Sequence, residues 1–232
     1  MSPDGPNERR ARIERALART DGAGPSASLC RACTQLVGVS GSSVMVMSGG
    51  VPTMLCASDG VAARLEDLQQ TLGEGPCLDA HHGRRPVLEP DLAAAGRWAA
   101  FSPDAVAAGA AALFSFPMQI GAVALGALSV YLARAGDLSD AQYLDARAMA
   151  QVATSAVLSL QATSRSGDLS PELDMLATHR AEVHQAAGMV SVQLGVDVDE
   201  AMVRLRAHAY AAGQPLAEVA AEVVTRRLRL AE

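Results

Sequence analysis

Residues 173–195 read LDMLATHRAEVHQAAGMVSVQLG. Leu173, Leu176, Val183, Ala187, Val190 and Leu194 step along this stretch by alternating threes and fours, with Arg180 as the one interruption. That alternation keeps an apolar stripe on one side of an α-helix and is the a/d seam of a coiled coil. Gly195 stops the helix as the residue just past its end. Asp197 and Glu200 then stand where a cap and an N3 carboxylate belong. Ala201, Leu205 and Ala209 give the second helix its face, and Gly213 ends it. Pro215 opens a third helix at its N1 position. Its stripe is Leu216, Val219, Ala220, Val223, Val224 and Leu228. Helices joined by such short connections must pack on one another, so residues 171–232 form an all-α three-helix bundle with a coiled-coil-like first helix. A bundle this small is marginal alone, and its seam invites a second copy, so a homodimer is expected.

Upstream, Thr163–Ser170 reads TSRSGDLS, and residues 162–170 form a polar linker. Residues 29–161 change register between strand and helix. Ser28–Val37 has helical spacing, Val44–Met47 and Thr53–Ala57 read as strands around the Gly49-Gly50 turn, and Val61–Leu72 is helical. A Gly-Arg-Arg-Pro turn precedes a short strand at Val87–Leu88. Trp98–Ala112 reads as helical after Pro103, and Leu113–Pro117 and Val123–Leu132 as strands. Ser139 and Gln142 form a capping box for a helix that carries Met149, Val152, Ala156 and Leu160. The class is α+β, an antiparallel sheet flanked by helices with an all-α bundle behind it. Residues 1–28, with Arg-rich Asn7–Thr20, are a tail or short helix.

Composition removes several function classes. Half of the 232 residues are apolar and 19% are charged, which argues for packed domains. The formal net charge is −6, so bulk attraction to nucleic acid or to an anionic membrane is not expected. There is no lysine, which excludes a P-loop ATPase and Schiff-base chemistry. No charged residue lies between Asp104 and Arg134, but this run is rich in Ala and Gly, and two strands explain it better than a membrane span. Met1–Arg12 carries no apolar leader, and the chain has only four cysteines, so a reducing cytoplasm is expected.

The segment His179-Arg180-Ala181-Glu182-Val183-His184-Gln185-Ala186-Ala187-Gly188-Met189-Val190 resembles the first helix of ANTAR domains. Glu200-Ala201, Leu205-Arg206, Ala209, Leu216, Val219-Ala220 and Val223-Val224 are similar to the second and third helices. The resemblance covers Leu173–Leu230. It implies a three-helix RNA-binding module that acts as a transcription antiterminator. Such a module stabilises paired hairpins with hexanucleotide loops in nascent RNA, so that a terminator cannot form. The family often has Lys where this chain has Ala187. Leu72-Gly73-Glu74-Gly75-Pro76-Cys77, Trp98 to Phe101, and Phe116-Pro117-Met118 leading into Gly126-Ala127-Leu128 resemble GAF sensor domains over about Leu29–Gln161. The pairing is similar to GAF–ANTAR regulators of actinobacteria. It implies a small-molecule or redox signal, with the ligand and any cofactor unspecified.

The RNA contacts expected on this basis are Gln185, Ala187 and Gly188 on the first helix and Arg204, Arg206, Ala209 and Tyr210 on the second. Arg stacks on splayed bases and holds phosphate in two-pronged contacts. Against this, residues 171–232 hold six Arg and nine Asp or Glu, a net of −3, and Gly188 could serve helix packing alone. Cys77, His81 and Trp98 are the candidate sensor or ligand residues. Cys77 could be a low-pKa thiol or a buried one. Cys30 and Cys33 form a CxxC that could join His81 and His82 around a metal, but the pairs lie far apart in sequence and no metal is assigned. Two alternatives remain at this stage. One is a cysteine-dependent reductase on a GAF fold. The other is a DNA-binding helix-turn-helix built from the second and third helices around Gly213-Gln214-Pro215.

Overall fold

The computed structural model describes residues 5–17, 25–48, 50–164 and 171–230. The chain order is α1 (Pro6–Leu17), α2 (Pro25–Val37), β1 (Gly41–Ser48), β2 (Val51–Ala57), α3 (Gly60–Leu72), α4 (Pro76–Gly83), β3 (Val87–Glu89), α5 (Phe101–Ala107), β4 (Ala112–Ile120), β5 (Val123–Leu132), α6 (Asp140–Ser164), α7 (Pro171–Leu194), α8 (Val198–Ala212) and α9 (Leu216–Val224). The five strands pair antiparallel in the order β2-β1-β5-β4-β3.

Strand side chains alternate faces, and the sheet is buried on both. Val44 and Val46 of β1, Phe114, Phe116 and Met118 of β4, and Leu128 and Val130 of β5 pack under α1, α2 and α6. Met45, Leu113, Ala127 and Tyr131 face the other way, under α3, α4 and α5. The charge-free run from Asp104 to Arg134 is the end of α5 followed by the β4–β5 hairpin, and no described helix is long and apolar enough to cross a membrane. Gly126 is required in that hairpin: a Cβ there would lie 1.9 Å from the Met45 carbonyl oxygen.

The expected helix at Trp98–Ala112 is shorter. It ends at Ala107 because Gly109 takes φ +106° and Ala112 already belongs to β4. The capping box forms as read: the Ser139 backbone N–H donates to Gln142 Oε1 at 3.0 Å, and the Gln142 N–H donates to Ser139 Oγ at 3.3 Å. The helix it starts continues to Ser164, into the stretch read as linker, and residues 165–170 of that stretch lie outside the described residues. The Arg-rich N-terminal segment is α1, held on α6 where Arg9 and Arg12 converge on Asp145.

Candidate nucleic-acid interface

Helices α7, α8 and α9 close around Val183, Ala186, Val190, Ala201, Leu205, Ala209, Leu216, Val219, Ala220 and Val223, and Val51 of β2 joins this core. The local sequence sets each boundary. Asp197 accepts from the Glu200 N–H at 2.7 Å to start α8, and Gly213 at φ +65° ends it. The seam therefore turns inward from Val183 to Val190, satisfied within the chain. The side chains of Leu173 and Leu176 lie outside the described residues.

This inward turn corrects two expected contacts. Ala187 and Ala209 are fully buried in the bundle and cannot meet RNA in this arrangement. Arg206 is half buried, with its guanidinium against α3: a Cβ on Gly73 would lie 2.8 Å from its Nη1. Its Nε has no hydrogen-bond partner, and burial lowers its pKa. Tyr210 is exposed but stands beside Asp104, whose carboxylate pushes the phenol pKa up. Arg204 is exposed and bonds Glu200 at 2.7 Å.

The remaining first-helix residues do come together. Gln185, Gly188, Val192 and Gln193 lie on the side of α7 away from the bundle core, and Met189, which packs partly against that core, borders them. After α9 the chain turns at Arg226, whose φ is +59°, and folds back along α7. The Leu230 N–H donates to Gln193 Oε1 at 3.3 Å. This brings Arg226 and Arg229 opposite Gly188 across a cleft of about 810 Å³. Among the described residues no acidic side chain lines it. Val192 is 85% exposed at its side. A glycine inside a helix costs about 1 kcal/mol against alanine. Packing does not require this one, because a Cβ on Gly188 would meet nothing within 4 Å. Arg226, Arg229, Val192 and Gln193 were not among the contacts expected from the sequence.

The same geometry bears on the DNA reading. A recognition helix at α9 would present Glu218 and Glu222 and no cation, which repels phosphate.

The sensor candidates lie on the α3–α5 side of the sheet. Ser43, Ser129 and Ser115 stand in register across β1, β5 and β4. The Ser115 and Ser129 hydroxyls are 3.0 Å apart, and Ser43 Oγ donates to Glu66 Oε1 at 2.6 Å. Glu66 is fully buried and also accepts from Gln69 Nε2 at 3.1 Å. Burial pushes its carboxyl up to about 7, against the pull of the Ser43 bond. The Cys77 N–H donates to Gln69 Oε1 at 2.7 Å. Cys77 is buried, and desolvation with the neighbouring Glu66 drives its thiol well up. It is placed as a core thiol, the buried one of the two readings. Trp98 is buried, with its indole N–H on Asp79 Oδ2 at 2.9 Å. His81 is half buried, its Nδ1 has no hydrogen-bond partner, and burial lowers its pKa. Glu74, unmarked in the sequence, accepts the N–H groups of Ala100 and Phe101 at 2.9 Å each and so starts α5.

The CxxC is divided. Cys30 forms a disulfide with Cys56 of β2, which the low cysteine count did not suggest, and Cys33 remains a buried thiol pushed up to about 12 by desolvation. Cys30 lies on the opposite face of the sheet from His81. Among the described residues no group of three His, Cys, Asp or Glu side chains is placed to hold a metal ion.

Comparison with known proteins agrees with this division of the chain. Residues 173–224 match the ANTAR domain family. The GAF domain of an Acinetobacter phosphoenolpyruvate-protein phosphotransferase superposes with a TM-score of 0.54 at 11% identity, over 71% of this chain and 99% of that one. The corresponding GAF domain from Coxiella burnetii gives 0.55 at 10%, over 69% and 96%. At that identity the likeness establishes the fold. A search among curated proteins finds no match. The chain thus has an antiparallel α+β domain of GAF-like fold, followed by residues 173–224 that match the ANTAR domain family.

Proposed function

We propose that this chain is a cytoplasmic, signal-responsive RNA-binding regulator that promotes transcription antitermination by gripping hexaloop hairpins in nascent RNA. The observation that carries the reading is the cleft between α7 and the returning tail. Gly188 leaves room for a base to approach the helix backbone, Arg226 and Arg229 supply planar cations for stacking or phosphate, and Gln185 offers an amide to a base edge. A few placed cations suffice for loop recognition, so the net-acidic balance of the bundle is no obstacle.

Two hairpins call for two bundles, and pairing of two chains would supply them with a gain in avidity. The seam from Val183 to Val190 is already occupied inside the chain, so that contact would use another surface.

A gel-shift with a dual-hexaloop RNA and its loop-substituted counterpart tests the reading. Selective binding is expected, and Arg226→Ala with Arg229→Ala should weaken it about tenfold or more. Gly188→Leu, which fills the cleft without touching the core, should abolish it. Equal affinity for both RNAs would sink the proposal.

A further inference from the structure

A second cleft, of about 460 Å³, lies on the α6 side of the sheet, where the α4–β3 turn and the end of β4 meet α6. It is separate from the buried Glu66–Cys77 network, which is on the opposite face. Arg84 and Arg85 enter it from the turn and Arg147 from α6, and among the described residues no acidic side chain lines it. Among the described residues none of the three pairs with a carboxylate. Three guanidinium groups without a carboxylate partner converge on one concavity, an arrangement that favours an anion among them.

Two further observations describe what the anion would carry. Gln119 lines the cleft, and its Oε1 is buried without a hydrogen-bond partner. A buried acceptor left unmet costs about 1–3 kcal/mol, and a ligand donor would meet it. Arg84 holds φ +53°, a conformation uncommon outside glycine, which fixes its position at the rim. Arg147 lies over the Tyr143 ring at 5.9 Å, which orients its planar fork. The volume falls in the usual range for small-molecule sites and is concave rather than a track along the surface.

We infer that this cleft is a binding site for a small phosphorylated molecule of nucleotide size, with two or more phosphoryl groups held by Arg84, Arg85 and Arg147 and a donor group met by Gln119. Guanidinium groups suit this task because each matches two phosphate oxygens at once.

The test is calorimetric titration of the full-length chain with inorganic phosphate, pyrophosphate and ADP. Pyrophosphate and ADP should bind, and more tightly than phosphate. Arg147→Ala and, separately, Arg85→Ala should each weaken both by about tenfold. Arg10→Ala, an exposed arginine paired with Glu14 on α1, should change nothing. Arg85 lies in an exposed turn, so its variant keeps the test open if Arg147→Ala fails to fold. Absence of pyrophosphate and ADP binding overturns the assignment, as does unchanged affinity in both variants. Loss of hairpin RNA binding in these variants, with no effect on ADP, would make the cleft part of an RNA path and overturn it as well.

Discussion

Glu66 is a carboxyl group inside the protein with hydroxyls and an amide for company and no cation beside it. Its folded-state pKa of about 7 stands above its ordinary 4.5, so the folded chain prefers the protonated form. The stabilisation is complete below about 4.5 and is lost as pH rises through about 7. A shift of that size corresponds to about 3 kcal/mol across the window. Glu66→Gln should flatten the pH dependence of the urea midpoint between those limits and exceed the parent in stability above pH 7; an unchanged slope would show that Glu66 does not titrate there. At this same scale the residues of the proposed RNA cleft were partly readable. Ala187 belongs to the three-four seam, and Ala209 belongs to the Ala201–Leu205 face, so the periodicity already assigned both to a core. Gly188 falls off that stripe and stays open. Arg226 and Arg229 were out of reach, because only the return of the tail along α7 brings them to it.

At the scale of elements, two ties hold helices on the sheet. The Cys30–Cys56 disulfide joins α2 to β2 across 26 residues of sequence. Closing a loop of that length contributes about 3 kcal/mol. Dithiothreitol should therefore lower the thermal midpoint, and Cys56→Ser should show the same loss and no further response to reductant. The second tie is Asp145, one carboxylate for both Arg9 and Arg12. Asp145→Ala leaves Arg9 buried and unpaired, at a cost of about 3–5 kcal/mol, and should free α1 to proteolysis before the rest of the chain. Neither tie could be read from local pattern. The CxxC spacing drew attention to two cysteines on one helix, whereas the partner lies on the strand that α2 packs against. The elements themselves were legible wherever periodicity or a cap was strong, as at Ser139. They were misjudged where a glycine outside the pattern decided, as at Gly109.

At the scale of the molecule, the C-terminal bundle rests on the GAF-like domain through Val51 in its core and through Arg206 over Gly73. The order of the two domains was plain from the sequence. Their contact was not, since Val51 reads only as a hairpin residue and Arg206 as a free cation. Val51→Asp places an unpaired charge in that core and should detach the bundle. The expected result is a larger radius of gyration in solution scattering. Fluorescence of Trp98, the single tryptophan, should stay that of the intact N-terminal domain. An unchanged radius would mean that Val51 does not hold the domains together. The same contact has a bearing on solubility. β2 is an edge strand, and α7 packs against it. Bare strand edges template the addition of strands from other chains. A fragment cut after α6 exposes Val51 and an unguarded β2, so it should self-associate at concentrations where the whole chain stays dispersed.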